Sequence, residues 1–274
     1  MNLTNKEINE LIEKELIKNY FLGNKSIEIK GEGNSIFQLT TSNNEMELLT
    51  GNITSSKGLT IIELGTCENL LKEENEIDKN LSLIIKKYEQ LTISAERNVQ
   101  YEVYHPITKK KLNLSICEAG TINLYIPVNI TEDLIELYND LKSNGYDLFN
   151  IDDPFYNNLC TPYKSKNGTD VLLFDRKNDY YNNNYTTCQS NCQYSSFDPN
   201  YKFLKCECKV IVDDIDIKNF NKFSKKIYKT FFDILKNSNY KVLKCYKLVF
   251  NIDYFKKNLG SFVFLLFTFF EEYF

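Results

Sequence analysis

The chain has 274 residues, enough for one large or two modest domains, and its 42% hydrophobic content is sufficient to bury a real core. A net charge of −4 excludes a general phosphate-backbone binder, so nucleic acid is not expected as a partner. The aromatic share of 14% is carried by 19 Tyr and 19 Phe with no Trp.

The N-terminal segment 4–20 predicts an amphipathic helix. Thr4 to Glu7 form a capping box, and Ile8, Leu11, Ile12 and Leu16 share a face. Residues 1–20 contain no apolar stretch of the signal-peptide kind. A turn at Gly31 to Asn34 follows, among strand-like pieces at 26–30, 36–40, 60–64, 81–86, 99–104, 111–117 and 121–127. Val99, Tyr101 and Val103 alternate with polar residues, as do Leu112, Leu114 and Ile116, so each strand buries one face. His105 to Lys110 read as a hairpin loop. A helix at 132–143, capped by Thr131 and stopped at Asn144-Gly145, closes this part.

Between 145 and 210 regular patterning almost disappears, and a stretch of that length needs covalent or metal staples to stay ordered. The cysteines fall where that need is greatest. Beyond it, Ile217, Phe220, Phe223, Ile227, Phe231 and Ile234 make a second amphipathic helix ending near Asn237, and 242–250 reads as a strand carrying Cys245. The apolar run 259–270 is too short to span a bilayer, which needs about 20 residues. It reads either as a buried terminal element or as the first half of a transmembrane helix. Lys256 and Lys257 before it lean toward a cytoplasmic flank by the positive-inside rule.

The expected fold is therefore α+β. An N-terminal helix (1–20) precedes a β-rich, sandwich-like domain (21–145) and an irregular, disulfide-stapled region (146–250) that carries an amphipathic helix and lies next to the membrane. The partial transmembrane-like segment (259–270) completes it.

The eight cysteines, Cys67, Cys117, Cys160, Cys188, Cys192, Cys206, Cys208 and Cys245, are even in number and become dense after residue 160. In an oxidising compartment they form up to four bridges, and eight cysteines allow about 105 pairings, so spacing alone does not choose among them. On a strand Cys206 and Cys208 face the same side and serve two partners. The alternative is an intracellular zinc-stabilised interaction module with Cys188, Cys192, Cys206 and Cys208 as ligands. Its spacings of three and one residues fit a tetrahedral site poorly. Glycosylation sequons begin at Asn2, Asn24, Asn52, Asn80, Asn113, Asn129, Asn167 and Asn184. The chain is rich in Asn, Lys, Ile and Tyr, as AT-rich genomes encode, so each sequon taken singly is a weak signal. If Asn113 lies in a strand, its side chain must face solvent to be modified.

No catalytic constellation stands out, and no cofactor is expected. The single histidine, His105, sits in a loop without a nucleophile elbow elsewhere. Asp152-Asp153 and Asp213, Asp214 and Asp216 read as solvated acids, the latter without the Gly and closing Glu of a calcium loop. Gly31-Glu32-Gly33-Asn34 lacks the elements of a phosphate-cradling loop. Tyr180 and Tyr181 beside Asn182, Asn183 and Asn184 form a polar aromatic loop of the kind that can recognise a partner.

Several segments carry a resemblance. They are Cys160-Thr161-Pro162-Tyr163, Asn167-Gly168-Thr169-Asp170-Val171-Leu172-Leu173, Asp175-Arg176-Lys177, Cys188-Gln189-Ser190-Asn191-Cys192-Gln193-Tyr194, Lys205-Cys206-Glu207-Cys208 and Lys244-Cys245-Tyr246-Lys247-Leu248-Val249-Phe250. In this order they resemble a recurring pattern in large predicted surface membrane proteins of AT-rich protists, ciliates in particular. The resemblance covers roughly 67–270 and is most specific over 160–208. It implies an extracellular module near the plasma membrane, anchored through the C-terminal apolar segment and contacting an extracellular protein or glycan, with no assigned chemistry. The chain departs from the pattern where the apolar run closes in Glu271-Glu272-Tyr273-Phe274.

Overall fold

The structure is a computed structural model that describes residues 4–23, 25–50, 58–91, 97–118, 120–158, 160, 163, 176–177, 180, 188–210, 245, 260 and 263. The chain divides into two compact units, one of residues 1–139 with 184–225 and the other of 140–183 with 226–274.

The first unit opens on α1 (Asn5–Leu11), which runs through a π-helical turn (Ile12–Leu16) into α2 (Ile17–Asn19). The expected capping box is present: Glu7 N donates to Thr4 Oγ1 (3.3 Å) and Thr4 N donates to Glu7 Oε2 (2.7 Å). Ile8, Ile12, Ile17 and Tyr20 are the buried stripe of this helix. They cover one face of an antiparallel sheet ordered β1-β2-β4-β5, with β1 Ile27–Lys30, β2 Ser35–Thr41, β4 Ile84–Leu91 and β5 Arg97–Tyr104. Phe37, Leu39, Ile84, Tyr88 and Tyr104 supply the sheet side of that core, and the strand period of two places them on one face. The β1–β2 turn passes so close to α1 that a side chain at Gly31 would overlap that of Asn5, whose Oδ1 accepts from Glu32 N and Ser35 Oγ (2.8 Å each).

The connection from β2 to β4 holds α3 (Ser42–Leu49), β3 (Ile61–Glu63) and α4 (Thr66–Glu74). Gly65 turns β3 into α4 at φ 55°, ψ −129°, a region open essentially to glycine. Strand β3 belongs to a second antiparallel sheet, ordered β3-β6-β8-β7, with β6 Thr121–Pro127, β7 Cys192–Asp198 and β8 Phe203–Lys209. On β6 and β8, Ile122, Leu124 and Ile126 pair with Cys208, Cys206 and Leu204 in register, and all six are buried.

The α+β class and the β-rich character hold, with the disulfides concentrated as expected. Four local expectations differ. Residues 111–117 form no strand beyond a single bridge, Tyr104 to Lys111; Leu114–Cys117 is a 3₁₀ turn capped by Asn113. The strand expected at 81–86 is β4, displaced to Ile84–Leu91. The supposedly irregular 145–210 contains β7 and β8, and the pairing of β8 with β6 and of β7 with β8 places 192–209 in the same unit as the β-rich part rather than beyond a boundary at 145. Helices α3, α4 and α6 (Pro154–Asn157) carried no recognised pattern. Helix α5 (Glu132–Ser143) matches its predicted bounds and ends at Gly145 (φ 82°), where Tyr146 N donates to Leu141 O (2.9 Å). The helix expected at 217–237, most of the strand at 242–250 and most of the apolar run at 259–270 lie outside the described residues.

Candidate functional site

All eight cysteines are paired, as Cys67–Cys117, Cys160–Cys245, Cys188–Cys206 and Cys192–Cys208. Cys67, on α4, and Cys117, in the 3₁₀ turn, are both fully buried, and their bridge ties the β2–β4 connection to the entry of β6. Cys192 lies directly opposite Cys208 across β7 and β8, with Cα atoms 3.9 Å apart. Cys206, two residues earlier on the same face, bonds Cys188 instead. The expectation that Cys206 and Cys208 share a side and serve different partners therefore holds. Cys160–Cys245 lies within the second unit. The zinc alternative is overturned: its four ligands are spent in two disulfides and have no thiolate to offer. Among the described residues no group of three or more His, Cys, Asp or Glu converges on a common point.

Of the sequon asparagines, Asn80, Asn113 and Asn129 are described, and all three are exposed. Asn113 is not in a strand. Its Oδ1 accepts from Ser115 N (3.0 Å), which leaves the Nδ2 that would carry a glycan outside the cap. Asn24, Asn52, Asn167 and Asn184 lie outside the described residues, as does Asn2.

The lone histidine is occupied by its own turn. His105 Nδ1 accepts from Ile107 N (3.0 Å) and Thr108 N (3.2 Å), while burial and the neighbouring Lys109 charge lower its pKa. Asp153 caps α6, its Oδ1 accepting from Phe155 N (2.8 Å) and its Oδ2 from Asp147 N (3.0 Å). Asp213, Asp214, Asp216 and Tyr181 lie outside the described residues. Tyr180 does not stand free: its ring is 6.1 Å from Phe155 and 6.4 Å from Tyr163 in the second unit. Arg176, 3% exposed, stacks on the Phe155 and Tyr163 rings at 5.4 and 5.6 Å. Burial, reinforced by Tyr180, pushes the Tyr163 hydroxyl up to about 12.

The charged cluster missed by the sequence reading lies inside the first sheet. On the helix-covered face, Lys86, fully buried, bonds Glu102 Oε2 (2.7 Å) and Glu13 Oε1 (2.6 Å). Glu102 also accepts from Lys111 Nζ (2.8 Å) and Tyr104 Oη (2.7 Å). Burial works to raise the Glu102 carboxyl, but the Lys86 charge and the three hydrogen bonds prevail and hold it at about 2. On the opposite face Lys87 bonds Glu45 Oε2 (3.2 Å) and Thr60 O, and Glu45 Oε2 accepts from Ile62 N (2.7 Å). Glu89 accepts from Thr60 N (2.9 Å) and pairs with Arg97 (2.5 Å), which also reaches Gly58 O (2.6 Å). The signal for this network is the run Lys86-Lys87-Tyr88-Glu89 between Ile84-Ile85 and Leu91, which reads as a strand end until both faces are known to be covered. The arrangement positions elements; it presents no reacting pair to solvent.

Two antiparallel sheets with eight fully bridged cysteines define a disulfide-stabilised α+β protein of an oxidising compartment, extracellular or secreted. No family model, no curated protein and no solved structure matches the chain. Among the described residues, no helix is long and apolar enough to cross a membrane.

Proposed function

We propose that this chain is a glycosylated surface protein held at the extracellular face of the plasma membrane, with a structural or adhesive role toward an extracellular protein or glycan and no catalysis. The observation that carries the reading is the pairing of every cysteine, which belongs to secreted and surface proteins rather than to reduced compartments. The three exposed sequons at Asn80, Asn113 and Asn129 support the glycan, and the apolar run 259–270 supports the anchor. The enclosure of His105 and Asp153 in turn and cap contacts supports a non-enzymatic role.

The test is expression of the chain through a secretory host, followed by thiol counting on the denatured protein, glycosidase treatment and membrane fractionation. Absence of free thiols, a mass drop on deglycosylation and retention on membranes are expected. Eight free thiols overturn the compartment. An unchanged mass removes the glycan, and recovery from the medium irrespective of residues 259–270 removes the anchor.

A further inference from the structure

The two most exposed large apolar side chains among the described residues are Phe21, 72% exposed, and Ile107, 68% exposed. They sit on neighbouring loops. A single ammonium joins these loops, for Lys109 Nζ donates to Tyr20 O and to Pro106 O at 2.6 Å each, the residues immediately before the two tips. Tyr20 is buried and its hydroxyl reaches Lys25 O (3.4 Å); the other loop is closed by His105 N to Lys110 O (2.9 Å) and by the two bonds to His105 Nδ1. Ile107 is thus presented on a hydrogen-bonded turn, and Phe21 follows directly on the buried Tyr20.

Within two short segments the charge is one-sided, between Glu15 and Glu28 in the first and between Glu102 and Glu118 in the second. Residues 16–27 and 103–117 contain Lys18, Lys25, Lys109, Lys110 and Lys111 and no Asp or Glu, in a chain whose net charge is −4. Lys111 neutralises the buried Glu102, whereas Lys18, Lys25 and Lys110 are exposed and form no ion pair among the described residues. Glu15 and Glu28 bound the first segment on either side.

We infer that this end of the first unit docks on an anionic phospholipid surface, Phe21 and Ile107 entering the headgroup layer and Lys18, Lys25 and Lys110 pairing with the headgroups. Two separate side chains offer far less area than the roughly 800 Å² per partner of a stable protein interface. They suit a lipid interface, where a few apolar side chains and several lysines act together, and for a chain of an oxidising compartment that interface is anionic phospholipid exposed on an outer membrane face. The inference does not rest on the anchor at 259–270.

The chain has no Trp, so Phe21→Trp in the full, disulfide-intact protein creates a single reporter at the proposed contact. With vesicles of phosphatidylcholine and phosphatidylserine its emission shifts to the blue and its quenching by aqueous iodide falls; with phosphatidylcholine alone neither changes. In flotation assays of the otherwise unaltered chain, Phe21→Ser with Ile107→Ser removes binding at least ten-fold. Changing Lys18, Lys25 and Lys110 to Gln costs on the order of five-fold per lysine at low salt. Tyr201→Ser, at an exposed aromatic in the β7–β8 turn, leaves binding intact. An unmoved Trp emission overturns the inference. So does binding that persists in the double serine variant or on neutral vesicles, which would trace it to residues 259–270. Loss of self-association in that variant without any vesicle binding would reassign the surface to a contact between copies.

Discussion

Replacing Glu102 by Gln removes one charge from the network around Lys86 while keeping its shape and one acceptor. Lys86 has no exposure and would retain only Glu13, whose side chain is 45% exposed, as a counter-charge. Breaking a buried pair by removing one partner costs about 3–5 kcal/mol, and the surviving Glu13 contact points to the lower end. The titration of Glu102 gives a second figure. Its carboxyl is held at about 2 against an ordinary value of 4.5. At about 1.4 kcal/mol per unit, that displacement is worth on the order of 3 kcal/mol. Because the native value is depressed, this stability is present above pH 4.5 and is lost as the pH falls toward 2. Urea unfolding followed by far-ultraviolet circular dichroism at neutral pH should therefore place Glu102→Gln below the parent by about 3 kcal/mol. The two curves should converge in acid, where the parent carboxyl is itself protonated. A difference that stays constant from neutral pH to the lowest pH at which the parent folds would show that Glu102 acts through shape rather than charge. A difference under about 0.5 kcal/mol would refute the burial argument, being what an ordinary surface substitution gives.

Glu45→Gln weakens the contact with Lys87 and with the N–H of Ile62, and a loss of about 2–4 kcal/mol is expected by the same denaturation assay. Replacing both Cys67 and Cys117 by Ser opens a loop of separation 50 and should cost about 4 kcal/mol on the chain-entropy account, against about 3 kcal/mol for the pair Cys192 and Cys208, of separation 16. Thermal melts of the two double variants should preserve that order. Asn113→Gln should remove one glycan by mass after secretory expression. Its effect on stability should be under about 1 kcal/mol, since a cap is weakened and not a core contact.

Much of the first unit was legible in local pattern. The N-terminal helix announced itself through Thr4, Glu7 and the Ile8–Ile12 spacing, and β5 through the alternation of Val99, Tyr101 and Val103, although Glu102 and Tyr104 between and after them are buried as well. The same rule failed at 111–117, where Leu112 and Leu114 are buried at loop and 3₁₀ positions that mimic a period of two, whereas Ile116 is half-buried and Cys117 takes the next buried place. It failed again at β7, an edge strand exposed on most of its length and therefore without an apolar signature, although its partner β8 buries Leu204, Cys206 and Cys208. The side shared by Cys206 and Cys208 was readable from their spacing; which cysteine each would find was not, since that depends on the long-range pairing of β6, β7 and β8. The buried charges were invisible for a similar reason. Lys86 and Glu102 face each other across β4 and β5, and only the register reveals that each neutralises the other.

The two sheets are secured by different interactions, so they should yield to different perturbations. In the first, buried charges at Lys86, Lys87 and Glu89 join β4 to the π-helical turn that follows α1, to α3 and to the residues entering β3. In the second, disulfides at Cys206 and Cys208 fasten β8 to β7 and to the segment preceding it. Reduction at neutral pH should release β7 and β8 first and leave amides of β4 and β5 protected from hydrogen exchange. Acid approaching pH 2 with the bridges intact should invert the order, because protonating Glu102 weakens the first sheet and leaves the covalent staples unaffected. The coupling between them runs through Thr60, which donates its N–H to Glu89 one residue before β3 begins, and through Val99 N, which donates to Gln189 Oε1 (2.9 Å) beside Cys188. If exchange protection fell in both sheets together under either treatment, these links would be strong enough to make the unit a single cooperative body. The separation of acid and redox sensitivity would then be lost.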